Sequence, residues 1–408
     1  MTDVDRDTAR LVALLADRPF TAESLSDVDW DRLLTLALQH GIGPWLHARV
    51  KKGHVQLPAA AAEKLRRNYV ASALRNILLF EELGEILRAL RTTGIPVILL
   101  MGACLAEAVY GDSALRPMGD LDLLVKPTDL IEAVRTLRAM GYESDMPFDP
   151  VASQFGFQDM PAMRSARGVL VEVHWTLVTP LCNANIREKE LEEIWSRAVP
   201  AILAGAETRM LSPTDLLLHL CMHMSVHHRF ADISLRNLVD VAEVCRHYKS
   251  EIVWPEFVAR ANDWGVANGV RMALQLAAEW TDLAVPAGAL AGLGGEPADD
   301  EAMRWVRHKV LNGAAAGLGS ELSRLGGEAR VVGKLAAIRD AVFLPRAMMA
   351  RYYPVPADSW RVLAYYPVRW KDLWVRYRRA LWKLATRDKE FVADARKEAR
   401  LREYLGWR

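Results

Sequence analysis

Cysteine is scarce in this chain, and nothing in its placement suggests chemistry. The four in 408 residues are Cys104, Cys182, Cys221 and Cys245. They show no C-x-x-C spacing and lie in apolar or helical contexts, which speaks against a disulfide scaffold or a cysteine-based zinc motif and predicts reduced, mostly buried thiols. No run of about eighteen apolar residues occurs, so no membrane-crossing helix is expected. The opening MTDVDRDTAR is acidic where a secretory leader would be basic and then apolar, so a cytoplasmic location is expected. Charge of one sign is missing too: 52 Lys and Arg against 51 Asp and Glu leave a formal net charge of +1. No global field marks the chain as a binder of nucleic acid or of acidic partners. What remains, 51% hydrophobic and 25% charged residues, is an ordinary composition with length for two or three domains.

The chain is organised around Val97 to Val125, VILLMGACLAEAVYGDSALRPMGDLDLLV. Val97 to Leu100 is apolar and suits a buried strand. Gly102 permits a sharp turn, and ACLAEAVY has helix formers with an apolar stripe. A helix that begins just after a glycine turn offers unpaired N–H groups and a positive dipole end, so Gly102, Ala103 and the amides that follow could receive phosphate. Arg116 stands four residues before Asp120, within plausible reach of the same pocket. The next strand carries Asp120 and Asp122, which share a face because side chains at i and i+2 of a strand point the same way. Two such carboxylates can cradle a divalent cation; the plainer alternative is a turn followed by a solvated strand end.

A second firm strand runs from Gly168 to Trp175. Val169, Val171 and Val173 share one face, and Leu170, Glu172 and His174 share the other. A glutamate on an apolar strand is costly to bury unless it is paired or bound to metal. If this strand lies beside the one bearing Asp120 and Asp122, Glu172 becomes a third carboxylate of one site; otherwise it pairs with Arg116 or Arg167. His174 either bonds a nucleotide or carboxylate or is a satisfied structural histidine beside Trp175.

The order strand, glycine, helix, arginine, D-x-D strand resembles nucleotidyltransferases of the polymerase-β type. More narrowly, LLMGACL (Leu99 to Leu105), Tyr110, LRPMGDLDLLV (Leu115 to Val125) and EVHW (Glu172 to Trp175) are similar to the bacterial family labelled uncharacterised nucleotidyltransferase. That family tends to read L-L-K-G-x-x-L, Y, L-R-P-x-x-D-[IL]-D-L-L-V and [DE]-x-H-W. The family lysine before the glycine is Met101 here. The resemblance implies an α+β fold, with a polymerase-β-like core of small mixed sheet and helices embedded in a mostly helical protein. It also implies Mg²⁺-dependent transfer of a nucleotide from an NTP such as ATP, with Mn²⁺ as a substitute, to an unidentified small-molecule, sugar or peptide acceptor. On that reading Asp120, Asp122 and Glu172 are catalytic metal ligands, and Gly102, Ala103, Arg116 and His174 bind nucleotide. Two carboxylate-held metal ions would stabilise attacking and leaving oxygens during the displacement at phosphorus.

The rest of the chain reads as helix. TARLVALLADR, DVDWDRLLTLALQHG and Pro58 to Thr92 carry helical apolar spacing, and His40, His47 and His54 read as surface or capping groups. Pro127 to Met140 and Arg187 to Arg197 are helices, Gly141-Tyr142-Glu143 begins a strand, Gln154 to Gln158 forms short aromatic pieces, and Val199 to Leu211 is a hairpin around Gly205-Ala206. Ser212 caps a helix with Pro213 at its first position. On that helix His219, His223 and His227 fall at i, i+4 and i+8, on one face. No H-E-x-x-H motif accompanies them, so the reading is a helix packed on the core with one or two histidines facing the cleft, in preference to a dedicated zinc site. The family resemblance, a histidine-containing helix followed by R-x-L-x-D-[LV], implies that Asp232, Arg236 and Asp240 line the substrate side; the residues alone read as a solvated edge with an internal Asp–Arg pair. Pro286 to Asp300 reads as a linker or loop, and Gly313 to Gly319 as a glycine-rich break.

The composition changes after Arg346. From there to Arg408, 16 Lys and Arg face 7 Asp and Glu, with Trp360, Trp370, Trp374, Trp382 and several tyrosines between them. Such a segment packs on the body, lies on an anionic membrane or binds a polyanion, membrane ahead of nucleic acid. The expected division is residues 1–93 as a helical region packing on the core, 94–211 as the nucleotidyltransferase core, 212–345 as a helical domain and 346–408 as the basic aromatic tail. Two other readings stand beside the enzyme: a catalytically silent nucleotide- or ligand-binding protein, favoured by Met101, and a membrane-associated helical scaffold.

Overall fold

The computed structural model describes residues 10–16, 28–53, 57–145, 158–178, 184, 186–231, 233–295, 297–312, 342–353, 355, 358–386 and 388–406. His54, Cys182, Asp232, the aromatic residues 154–157 and the glycine-rich break at 313–319 lie outside the described residues.

Among the described residues, 10–15 are helical, and three longer helices follow before the sheet: α1 (Trp30–Gln39), α2 (Gly43–Lys52) and α3 (Ala59–Thr92). Asp29 caps α1 by accepting from the Arg32 backbone N–H at 3.1 Å, the pairing that short acidic side chains offer orphan helix donors. The 34-residue α3 ends where Gly94 takes a positive φ of 75°, a conformation glycine adopts without steric cost. Its buried Leu79, Leu83, Ile86, Leu87 and Leu90 recur at helical spacing and turn one stripe toward the core. Each such leucine contributes roughly 1.5–3 kcal/mol by leaving water.

The sheet follows: β1 (Ile98–Leu99), α4 (Met101–Ala108), β2 (Asp120–Leu124), α5 (Leu130–Ala139), β3 (Glu143–Ser144), β4 (Met163–Arg164), β5 (Leu170–His174), α6 (Glu188–Arg197), β6 (Val199–Leu203) and β7 (Ala206–Met210). Strand order is β3-β4-β5-β2-β1-β7-β6. β2 runs parallel to β5 and β1 parallel to β7, while the other neighbours are antiparallel. The β6–β7 hairpin turns through Ala204 and Gly205, both at positive φ (53° and 66°), as a two-residue turn matched to strand twist requires. Along β2 and β5 the odd-numbered residues 121, 123, 171 and 173 are buried, as is Leu124 at the inner end of β2, while Asp120, Asp122, Leu170, Glu172 and His174 are only partly so. One sheet face therefore belongs to the core and the other to the site.

Further helices follow: α7 (Pro213–Met222), running into a π-helical turn at His223–His227, then α8 (Leu235–His247), α9 (Trp254–Asp263), α10 (Ala267–Thr281), α11 (Ala287–Gly292) and α12 (Asp300–Asn312); α7, the π-turn and the start of α8 line the cavity over that second face. Ser212 caps α7, accepting from the Asp215 N–H at 3.2 Å. The expected linker at 286–300 instead contains α11. Leu293, 1% exposed, packs into the core, and the Arg271 guanidinium reaches the carbonyls of Leu293, Gly294 and Gly295. Cys104, Cys221 and Cys245 are free and buried.

The tail forms α13 (Arg346–Tyr352), α14 (Tyr365–Ala385) and α15 (Lys389–Leu405). Leu401 and Leu405 of α15 join the main core. A buried pair holds this helix: Lys309 Nζ on α12 meets both Glu398 oxygens at 2.9 and 3.0 Å and donates to the Arg229 carbonyl at 2.9 Å. Tyr353, Tyr365 and Tyr366 pack around Met349 and Val362 in a separate small cluster, while Trp370, Trp374 and Trp382 stay exposed. Among the described residues no helix is long and apolar enough to cross a membrane.

Candidate active site

Strand register builds the site. Asp122 pairs with Glu172 across β2 and β5, Asp120 pairs with Leu170, and Leu124 pairs with His174. Asp122 and Glu172 thus stand side by side on the open face. His174 Nε2 lies 3.1 Å from Asp122 Oδ1 and 3.8 Å from Glu172 Oε2. Ligand atoms of Asp122, Glu172 and His174 all fall within 4.8 Å of one another. Asp120 is on the same face of β2 and lines the same cavity, but stands outside that tight group.

Like charges held together resist ionisation. Burial, and then Asp122, Asp159 and other carboxylates, raise the Glu172 pKa to about 7. Burial and Asp122 raise Asp120. Burial alone would lower His174, but the hydrogen bond to Asp122 and the surrounding carboxylates outweigh it, and its pKa is raised. Neither Arg116 nor Arg167 forms an ion pair with Glu172. Arg167 instead pairs with Glu81 and Glu82 on α3.

The cavity above these strands measures about 410 Å³. On one wall Arg116, 4% exposed, makes a two-pronged ion pair with Asp240 of α8 (Nε to Oδ1 3.0 Å, Nη2 to Oδ2 2.9 Å). Tyr110 donates to the same carboxylate at 2.7 Å. Asp240 is therefore a buried anchor, contrary to the solvated edge expected from sequence, and it pairs with Arg116. Asn76 on α3 fixes the approach to the site by donating to the Arg116 carbonyl at 2.9 Å. Arg236 lines the same wall, donating to the Pro117 carbonyl at 2.8 Å. Its buried Nε has no hydrogen-bond partner, and a donor left in that state is expensive unless a ligand meets it.

The turn into α4 differs from expectation. The helix starts at Met101, and the left-handed residue is Met101 itself, at φ 38°. A non-glycine residue in that region is strained, and such outliers cluster at functional sites. Gly102 lies within the helix and lines the cavity; a Cβ there would meet Arg116 Nη1 at 3.4 Å. Its bareness keeps space beside the guanidinium. Ala103 is buried, 2% exposed, and does not line the cavity.

Facing the carboxylates are histidines. His219, His223, His227 and His228 all line the cavity, more than the one or two expected. His228 is off the ladder by α-helical spacing, and the sequence pattern does not single it out. Burial lowers the pKa of His219 and of His228 to about 4. His40, expected at the surface, is buried and accepts from the Leu235 N–H at 3.4 Å at the start of α8, so its capping role holds and its exposure does not.

Paired carboxylates on adjacent strands, under a cavity carrying two guanidiniums, offer a place for a divalent cation beside a polyanionic substrate. The uncharacterised nucleotidyltransferase family matches residues 26–282, and the chain belongs to it. Membership makes it a transferase, and the α+β architecture with its seven-stranded mixed sheet agrees. No curated protein and no solved structure is significantly similar to the chain.

Proposed function

We propose that the chain transfers a nucleotide from an NTP to an acceptor, with Asp120, Asp122 and Glu172 holding Mg²⁺, or Mn²⁺ in its place. The observation that carries this is the register of Asp122 with Glu172 beside two cavity-lining guanidiniums. Hard oxygen donors crowded together, with raised pKa values at Asp120 and Glu172 and, among the described residues, no arginine or lysine in ion-pair contact with Glu172, fit a divalent cation of that kind. When bound, the cation supplies charge stabilisation at the attacking and leaving oxygens.

The chain's own groups do the rest. Arg116, locked by Asp240, presents a fixed positive charge to the triphosphate, and Arg236 offers its unpartnered Nε. Gly102 leaves room for phosphate to approach Arg116. His174 bonds Asp122 and holds that carboxylate in one orientation. Residues 94–211 form the transferase core on this reading, with 1–93, 212–345 and 346–408 built around it.

The test is transfer of label from α-phosphate-labelled NTPs into cell-extract acceptors. Wild type transfers label and Asp122→Asn does not; equal labelling by both removes the proposal.

Met101 favours a second reading, a nucleotide-binding protein without turnover. A methionine lines the cavity where the family carries lysine, so one phosphate contact is missing. Exposed tryptophans favour peripheral contact of 346–408 with an anionic membrane. In α14 six Lys and Arg accompany Asp372 alone, and Trp374 and Trp382 are 63% and 68% exposed. Indole rings over a basic helix suit the headgroup layer.

A further inference from the structure

The histidines opposite the carboxylates are arranged by a backbone irregularity. Between His223 and His227 the chain forms a π-helical turn, closed by His228 N–H donating to the His223 carbonyl at 3.0 Å. Such i→i+5 turns are wider than an α-turn and are found frequently at functional sites. In an α-helix the fourth residue after His223 would lie near it and the fifth would have rotated onto another face. Widening the turn brings both the fourth and the fifth back beside His223, so that the three rings form a triangle. The rings accordingly converge: His223 to His227 5.2 Å and stacked, His223 to His228 4.4 Å, His227 to His228 4.7 Å between centroids.

Two residues at positive φ, Arg229 at 52° and Phe230 at 51°, follow immediately. The Lys309 ammonium grips the Arg229 carbonyl at 2.9 Å, and the Phe230 N–H donates to the Met224 carbonyl at 2.8 Å. The strained turn is thus fixed by a buried ion pair from another part of the chain. His223 Nδ1 is buried with no hydrogen-bond partner, whereas His227 is exposed and lines the cavity.

We propose that His223, His227 and His228 form a second metal site, for a borderline divalent transition ion of the Zn²⁺ class, separate from the carboxylate site. One ligand atom from each lies within 4.8 Å of the others, so small ring rotations bring all three onto one ion. Three imidazoles suit zinc and its neighbours, where Mg²⁺ prefers oxygen. The Gln158 amide nitrogen stands 2.9 Å from His227 Nδ1; turning the amide over puts its oxygen there instead, which accepts Nδ1–H and leaves Nε2 for the metal, the outer partner that orients a ligating imidazole. Three protein ligands leave a fourth position open to the cavity, as in reactive zinc sites. The proposal does not rest on nucleotide transfer.

The test uses the full chain, stripped with a chelator and titrated with Co²⁺ while visible absorption is followed, then with Zn²⁺ in competition. The expected result is one tetrahedral nitrogen-ligated Co²⁺ per chain, displaced by Zn²⁺ and retained in Asp122→Asn. His228→Ala weakens binding by about 100-fold or more. His227→Gln, at the exposed position, does the same without a burden on folding. The proposal is overturned if wild type takes up no stoichiometric Co²⁺, if both histidine variants bind as wild type does, or if Asp122→Asn alone removes the signal.

Discussion

Arg116 and Asp240 stand 124 residues apart and form a buried, two-pronged ion pair that joins the loop before β2 to helix α8. Arg116 is 4% exposed and Asp240 0%, so neither charge can be satisfied by water if the other is removed. Asp240→Ala also strands the Tyr110 hydroxyl, which donates to the same carboxylate. It is expected to cost about 3–5 kcal/mol of stability, the usual penalty for an orphaned buried charge. Urea denaturation measures this, and the double variant Arg116→Met with Asp240→Leu should recover most of the loss.

Met101 lines the cavity at the position where the family carries lysine. Met101→Lys should tighten NTP binding by about tenfold through one charge-assisted hydrogen bond to phosphate. Fluorescence titration with an NTP analogue reads the change. Unchanged affinity would mean that this side chain does not face phosphate.

Glu398 accepts from both Lys309 and Trp305 (2.8 Å to the indole). Glu398→Ala should destabilise the chain by about 3–5 kcal/mol and speed amide exchange in α15 and in the turn at 229–230, which Lys309 also holds. Exchange confined to α15 would separate the pair from the histidine turn.

Trp370, Trp374 and Trp382 project from a basic helix. Their triple replacement by serine should abolish sedimentation with phosphatidylserine-rich vesicles while leaving the melting temperature unchanged, and raised salt should weaken wild-type binding. Equal sedimentation of both proteins would remove the membrane reading.

Much of the site could be read in advance because its information is local. The i, i+2 spacing of Asp120 and Asp122, and of Glu172 and His174, fixes a shared face once each segment is a strand. The glycines at 94, 141 and 205 and the cap at Ser212 punctuate elements through backbone preferences acting over a few residues. What escaped depends on tertiary contact. Nothing near Arg116 announces that Asp240 will hold it. His219, His223 and His227 at intervals of four look like an ordinary α-helical ladder, so a π-turn that recruits His228 leaves no periodic trace. The left-handed residue at the start of α4 is Met101 in place of the adjacent glycine, a strain that only surrounding packing can impose. Gly- and Ala-rich 287–292 looks like linker and becomes helix because Leu293 and Arg271 give it something to dock against.

The most direct measurement is calorimetric titration of wild type and Asp122→Asn with ATP, GTP, CTP and UTP, each with and without Mg²⁺. The carboxylate site as described predicts that at least one NTP binds wild type only with Mg²⁺ and binds Asp122→Asn about tenfold or more weakly, while both proteins melt at the same temperature. Metal-independent binding, equal binding by the variant, or no binding of any NTP would contradict it.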